Sequence, residues 1–102
     1  MNYDHRNIYS NGEYLDLNSN WHSEDSLYKF QIIKNNILKN NVQFHTCVDI
    51  GCGAGCITEY MAEYFSDKNF IGIDISKDAA KFWNYRKKLT NLNYKNEVIE
   101  NI

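Results

Sequence analysis

Apolar residues recur at steps of three and four over 24–40, at Leu27, Phe30, Ile33 (beside Ile32), Ile37 and Leu38. That spacing predicts an amphipathic helix. Ser23 or Asp25 can cap its start, where acidic residues suit the helix dipole. Asn40-Asn41 can end it, because Asn tolerates the left-handed conformation. Residues 46–50 then read as a strand suited to a buried parallel sheet. After a glycine-rich interruption, a second helical period over 57–65 gathers Ile57, Met61, Tyr64 and Phe65 on one face and turns Glu59, Glu63 and Asp67 outward. Residues 70–74, Phe-Ile-Gly-Ile-Asp, form a second predicted strand. Ser76 caps a third helix, with an apolar stripe of Ala79 or Ala80, Phe82 or Trp83, the stem of Arg86, and Leu89. Residues 90–93 are expected as a loop, with a short third strand within 94–99. The order is a helix, then β-α-β-α-β.

Ahead of this pattern, residues 1–22 are polar and aromatic without a clear period, and Asn11-Gly12 reads as a turn. Tyr3, Tyr9, Tyr14 and Trp21 argue against disorder, since disordered segments are poor in aromatics. The expected division is therefore an amino-terminal arm or lid over 1–22 and one domain over 23–102. A chain of 102 residues allows a single small domain with a modest core, burying about two thirds of its unfolded surface.

Charge narrows the partners. A net charge of −2 leaves no basic footprint for nucleic acid or for an anionic membrane. No apolar run approaches the roughly 18 residues of a membrane span, and no signal-peptide pattern opens the chain. A cytoplasmic protein is expected. Cys47, Cys52 and Cys56 are an odd number of cysteines clustered at the glycine stretch, so free thiols are expected. With His45 they match no common zinc or iron–sulfur spacing, and no metal is expected.

The chemistry concentrates in Cys47-Val48-Asp49-Ile50-Gly51-Cys52-Gly53-Ala54-Gly55. A strand ends in an acid, a run of alternating glycines follows, and a helix starts at once. Glycines let bare backbone take positive φ and approach a ligand closely, and N–H groups at a helix start point at negative charge. A nucleotide-like cofactor is the inference, with a ligand-free turn as the alternative. The dinucleotide fingerprint G-x-G-x-x-G is not met, because Cys56 stands at its third glycine position.

The D-x-G-x-G-x-G pattern instead resembles motif I of the class I S-adenosylmethionine-dependent methyltransferases. In the arm, Tyr14-Leu15, Asn18 and Trp21-His22-x-Glu24-Asp25-Ser26 are similar to a box that opens certain bacterial members. The resemblance implies a Rossmann-like, doubly wound parallel sheet and S-adenosylmethionine as cofactor. It implies that Gly51, Cys52, Gly53 and Gly55 back onto the methionine part and that Asp49 helps hold its ammonium end. Asp74 closes the second strand and would accept from the ribose hydroxyls. Such charged hydrogen bonds are worth about 1.5 to 3 kcal/mol, so their loss predicts binding weaker by roughly ten- to a hundredfold. Ile75 would lie against the adenine face. Asn101 stands where the family usually has an acid facing the adenine amino group, and its amide oxygen can still accept. His22 is a candidate general base, with anchoring of the arm as the blander role.

The family sheet has seven strands in order 3-2-1-4-5-7-6, and this chain stops after the third. A truncated, three-stranded sheet in order 3-2-1 is expected, with a bare first-strand edge that predicts self-association. Three functions remain open. The chain is a methyltransferase, or its cofactor-binding portion, acting on a small-molecule or glycan nucleophile. It is a binding or dimerisation module without turnover. Or it is half of a nicotinamide-dependent oxidoreductase, which the glycine spacing disfavours.

Overall fold

A computed structural model describes residues 12–98 and 100 of the chain, with side chains described from residue 25 onward. Helix α1 (Gly12–Lys39) leads into strand β1 (Thr46–Ile50), helix α2 (Cys56–Tyr64), strand β2 (Asn69–Ile73), a short helix α3 (Lys77–Lys81) continued by a 3₁₀ turn (Phe82–Tyr85), and strand β3 (Leu92–Lys95). Both strand pairs are parallel, in spatial order β1-β2-β3. This is the expected 3-2-1 sheet. Parallel neighbours need crossover connections, and α2 and the α3 segment supply them.

The core lies where the helices meet the sheet. Cys47, Phe70 and Leu92 are register partners across the three strands, and all three join Phe30, Met61 and Ala62 in one apolar cluster. Aromatic rings complete it. Phe44 meets Phe65 and Phe70 edge-on at 5.6 and 6.0 Å, and Phe30 packs on Tyr60 at 5.6 Å. The outer residues of β1 are left uncovered, with Val48 44% and Ile50 59% exposed.

Five boundaries or faces differ from expectation. Helix α1 begins at Gly12, not near Glu24. The expected Asn11-Gly12 turn involves Asn11, which lies outside the described residues, and the backbone is helical across position 22. Its predicted stripe is covered only in part: Phe30 and Ile37 join the core, while Leu27, Ile33 and Leu38 stay exposed. It ends as predicted, with Asn41 at φ 52° and the Val42 N–H donating to the Ile37 carbonyl at 3.0 Å.

Glu59 turns inward, 9% exposed. It accepts from the Lys87 backbone N–H and lies 3.9 Å from the Arg86 guanidinium. A carboxylate on the inner face is tolerated because charge and hydrogen-bond partners follow it there. Arg86 is inward too. Its Nη1 donates to Cys56 Sγ at 2.9 Å, and its backbone is extended, at φ −79° and ψ 156°. The third helix therefore stops at Lys81 and does not run on to Leu89.

Strand β3 occupies Leu92–Lys95, earlier than the predicted 94–99. Asn91 decides this. Its side-chain amide donates to the carbonyls of Ala62 at 2.9 Å and Lys68 at 2.8 Å, tying the strand entry to the end of α2. Leu92 is thereby brought opposite Phe70.

Among the described residues no helix is long and apolar enough to cross a membrane.

Candidate functional site

The site is built where β1 and β2 end. The N–H groups of Gly51 and Cys52 both donate to the Ile73 carbonyl, at 2.7 and 3.0 Å, so the chain leaving β1 is bound to the last residue of β2. It then turns through three left-handed glycines, Gly51 (φ 73°), Gly53 (φ 58°) and Gly55 (φ 84°). L-residues with a Cβ avoid this region. The Gly55 carbonyl accepts the Glu59 N–H at 3.0 Å and so starts α2.

The glycines differ in what surrounds them. A Cβ on Gly51 or Gly53 would meet nothing within 4 Å. Those two present bare backbone to open space. A Cβ on Gly55 would lie 2.6 Å from the Tyr94 ring, and one on Gly72 would lie 2.7 Å from it. Gly55 thus has a packing duty besides the one expected of it.

Two carboxylates face the loop. Asp74 holds it from β2: Oδ2 accepts the Gly53 N–H and Oδ1 accepts the Ser76 N–H, both at 2.8 Å. An ionised carboxylate offers about four acceptor positions, so each oxygen retains capacity for a ligand hydroxyl. Asp49, at the end of β1, accepts from the buried Thr58 hydroxyl at 2.8 Å. Burial raises the Asp49 carboxyl above its ordinary range, the Thr58 bond opposes this, and the nearby Asp74 charge adds to the rise. The same physics holds Cys52 protonated, its thiol pushed up to about 12 by burial and by Asp49 and Asp74. Cys52 is a packed thiol beside Gly72.

Ile75 follows Asp74 with 70% of its surface exposed, a free apolar platform beside the acid. Ser76 caps α3 as predicted, accepting from the Ala79 N–H at 3.1 Å. The structure therefore brings together Asp49, Gly51, Cys52, Gly53, Gly55, Asp74 and Ile75. The His22 side chain and Asn101 lie outside the described residues. Among the described residues no group of three or more His, Cys, Asp or Glu side chains is placed to hold a metal ion.

Three contributors were not anticipated. Thr58 orients Asp49 from the first turn of α2, and its place nine residues after the acid was the available signal. Trp83 donates Nε1–H to the Gly53 carbonyl at 2.8 Å, and Tyr94 donates its hydroxyl to the Gly55 carbonyl at 2.7 Å. Both come from distant elements, and no local pattern announces them.

A parallel α/β sheet with two acids at adjacent strand ends over an open glycine loop defines a cofactor-binding domain of the doubly wound type. Comparison with known proteins makes this specific. Residues 47–102 match the family model described as a methyltransferase domain, and the chain belongs to that family, the class I S-adenosylmethionine-dependent methyltransferases. A tRNA (guanine-N(7)-)-methyltransferase of Mycoplasma capricolum subsp. capricolum is 33% identical over 84 residues, covering 74% of this chain and 37% of that protein. Among solved structures, the plantazolicin methyltransferase BpumL in complex with SAH superposes with a TM-score of 0.69 at 20% identity, over 95% of this chain and 39% of that one. Coclaurine N-methyltransferase bound to N-methylheliamine and SAH gives 0.56 at 18% identity, over 72% and 22%. At these identities the structural likeness is one of fold. The chain spans well under half the length of each of these relatives.

Proposed function

We propose that the crevice above Gly51 and Gly53 binds S-adenosylmethionine and that the chain serves transfer of its methyl group to a small-molecule or glycan nucleophile. The observation that carries this reading is the pair of acids. Asp74 grips the glycine loop from the end of β2 while Asp49 stands at the end of β1 beside it, and a cationic ligand is favoured by carboxylates so placed. The residues present fit the cofactor. Asp49 would hold the ammonium end, Gly51 and Gly53 would admit its close approach, Asp74 would accept from the ribose hydroxyls, and Ile75 would meet the adenine. Asn101 is assigned to the adenine edge on sequence alone.

When bound, the cofactor would supply a methyl group activated by its sulfonium. This chain's own contribution is binding and orientation, which suffices where catalysis is mainly the positioning of two reactants. The lid role of residues 1–22, a proton-accepting role for His22 and a cytoplasmic location belong to the same reading and rest on the sequence.

A cofactor-binding module without turnover is the second reading, supported by a site whose described residues serve binding and orientation. Calorimetric titration with S-adenosylmethionine, S-adenosylhomocysteine and NAD tests the binding half of the proposal. The first two should bind, and Asp74→Ala should bind them at least about tenfold more weakly; equal affinity for NAD would sink it. Transfer of a labelled methyl group then separates enzyme from module, with small molecules, glycans and tRNA as competing acceptors. Labelling of tRNA alone would overturn the acceptor assignment.

The β1 edge also supports a homo-oligomer. Among the described strands it pairs only with β2, and Val48 and Ile50 beside it are exposed. An unpaired edge of this kind templates pairing with a second copy. Sedimentation should show a concentration-dependent dimer, and a monomer from micromolar to millimolar concentration would refute it.

A further inference from the structure

Trp83 and Tyr94 stack with ring centroids 5.1 Å apart and planes 16° from parallel. Each turns its polar edge toward the glycine loop. Trp83 donates to the Gly53 carbonyl at 2.8 Å, and Tyr94 donates to the Gly55 carbonyl at 2.7 Å. The first comes from the 3₁₀ turn and the second from β3, so two otherwise separate elements converge on one loop. Burial raises the Tyr94 phenol far above its ordinary range, which keeps it a donor.

The glycines are arranged around this pair. Gly55 and Gly72 have no Cβ where the Tyr94 ring lies, whereas Gly51 and Gly53 face open space. One subset of glycines therefore admits the aromatic clamp, and the other leaves open space above the loop. Gly53 is gripped from two sides, its N–H by Asp74 at 2.8 Å and its carbonyl by Trp83. Left-handed glycines are free to leave their conformation, so a loop of three of them needs such external restraint to stay in one shape.

We propose that Trp83 and Tyr94 are positioning residues for cofactor binding. By holding the Gly53 and Gly55 carbonyls they preorganise the loop for the amino-acid end of the cofactor. This rests on the reading of the crevice as the S-adenosylmethionine site. Preorganisation raises affinity by removing an ordering cost at the moment of binding, so losing it should appear in affinity for ligands that touch the loop.

The test uses Tyr94→Phe and Trp83→Phe in the full chain. Each keeps an aromatic ring and removes one donor, so the space beside Gly55 and Gly72 stays filled. Two probes are titrated by calorimetry: S-adenosylhomocysteine, and 5′-methylthioadenosine, which lacks the amino-acid end. Each variant should bind S-adenosylhomocysteine about tenfold more weakly, the loss expected for one hydrogen bond. Binding of 5′-methylthioadenosine should stay within about twofold of wild type, the ordinary scatter of an untouched site. A general structural role would weaken both probes together, and that result would overturn the proposal. So would unchanged affinity for both. Failure of the wild-type chain to bind either probe would instead remove the cofactor reading, and this inference with it.

A second readout comes from Trp83 itself. The sequence holds two tryptophans, so Trp21→Phe leaves Trp83 as the only indole. Its emission should change on adding S-adenosylhomocysteine, with a midpoint equal to the calorimetric Kd. A Trp83 signal indifferent to a ligand that calorimetry shows to bind would count against the clamp.

Discussion

The Asp74 carboxylate accepts the backbone N–H of Gly53 at 2.8 Å, joining the end of β2 to the turn that leaves β1. The acid assigned to the ligand is thus also a structural brace for the loop beside it. Asp74→Asn removes the charge and offers the Gly53 or Ser76 N–H an amide that cannot satisfy both. Stability should fall by about 1 to 3 kcal/mol, read by urea denaturation, along with the loss of cofactor affinity. A variant that lost affinity with an unmoved urea midpoint would show that the brace contributes nothing.

Asp49 gives a prediction of opposite sign. Its folded-state pKa is raised, so the native state holds the proton more tightly than the unfolded chain does. Stability contributed by this group is therefore fully present below the ordinary carboxylate value and is lost as pH rises through the raised one. Asp49→Asn should stabilise the unliganded chain at neutral pH, keep the acceptor for Thr58, and weaken binding of S-adenosylmethionine. The gain should shrink as pH falls through the acid range. Thermal midpoints across pH 3 to 8, on the order of the titration window, would decide it, and a pH-independent difference would contradict the charge argument.

Gly72 and Tyr94 should be coupled. A Cβ on Gly72 would lie 2.7 Å from the Tyr94 ring and 2.9 Å from Cys52 Sγ, so Gly72→Ala should destabilise by about 1 to 3 kcal/mol through overpacking. Because Gly72 has no positive φ, the cost is steric, and it should be smaller in a Tyr94→Ala background. Gly55→Ala should recover less in that background, since its φ of 84° penalises any Cβ. A double-mutant cycle gives the coupling directly.

Glu59 and Arg86 form the remaining prediction. Their side chains are 11% and 17% exposed, with 3.9 Å between Oε1 and Nη1, and Arg86 Nε is buried without a hydrogen-bond partner. Glu59→Ala strands the guanidinium and also removes the acceptor of the Lys87 N–H. Breaking such a pair from one side costs about 3 to 5 kcal/mol, a large share of the stability of a small domain. Calorimetric unfolding should show it, and a loss under about 1 kcal/mol would mean that the pair behaves as a surface contact.

Most of the architecture was legible because it is local. The strand at Thr46–Ile50, the helix after the glycines and the strand at Asn69–Ile73 follow from apolar period and turn residues. Asp49 and Asp74 could be placed at the site because strand ends in a parallel sheet open on one crevice. The polar stretch after Gly12 has no apolar period, so helix α1 was expected to begin near Glu24, twelve residues beyond its observed start.

The amino-acid order by itself determined that Asn41 stops helix α1, that Ser76 caps α3, and that the turn after β1 is a chain of glycines. Only the tertiary structure decided that Glu59 faces inward, where the third helix breaks and at which residue β3 begins. Those choices depend on partners far along the chain: Glu59 on Lys87, Asn91 on Ala62 and Lys68. The roles of the glycines divide in the same way. Their conformational freedom is a property of the residue, but that Gly55 and Gly72 make room for Tyr94, while Gly51 and Gly53 face open space, exists only once β3 has docked beside the loop.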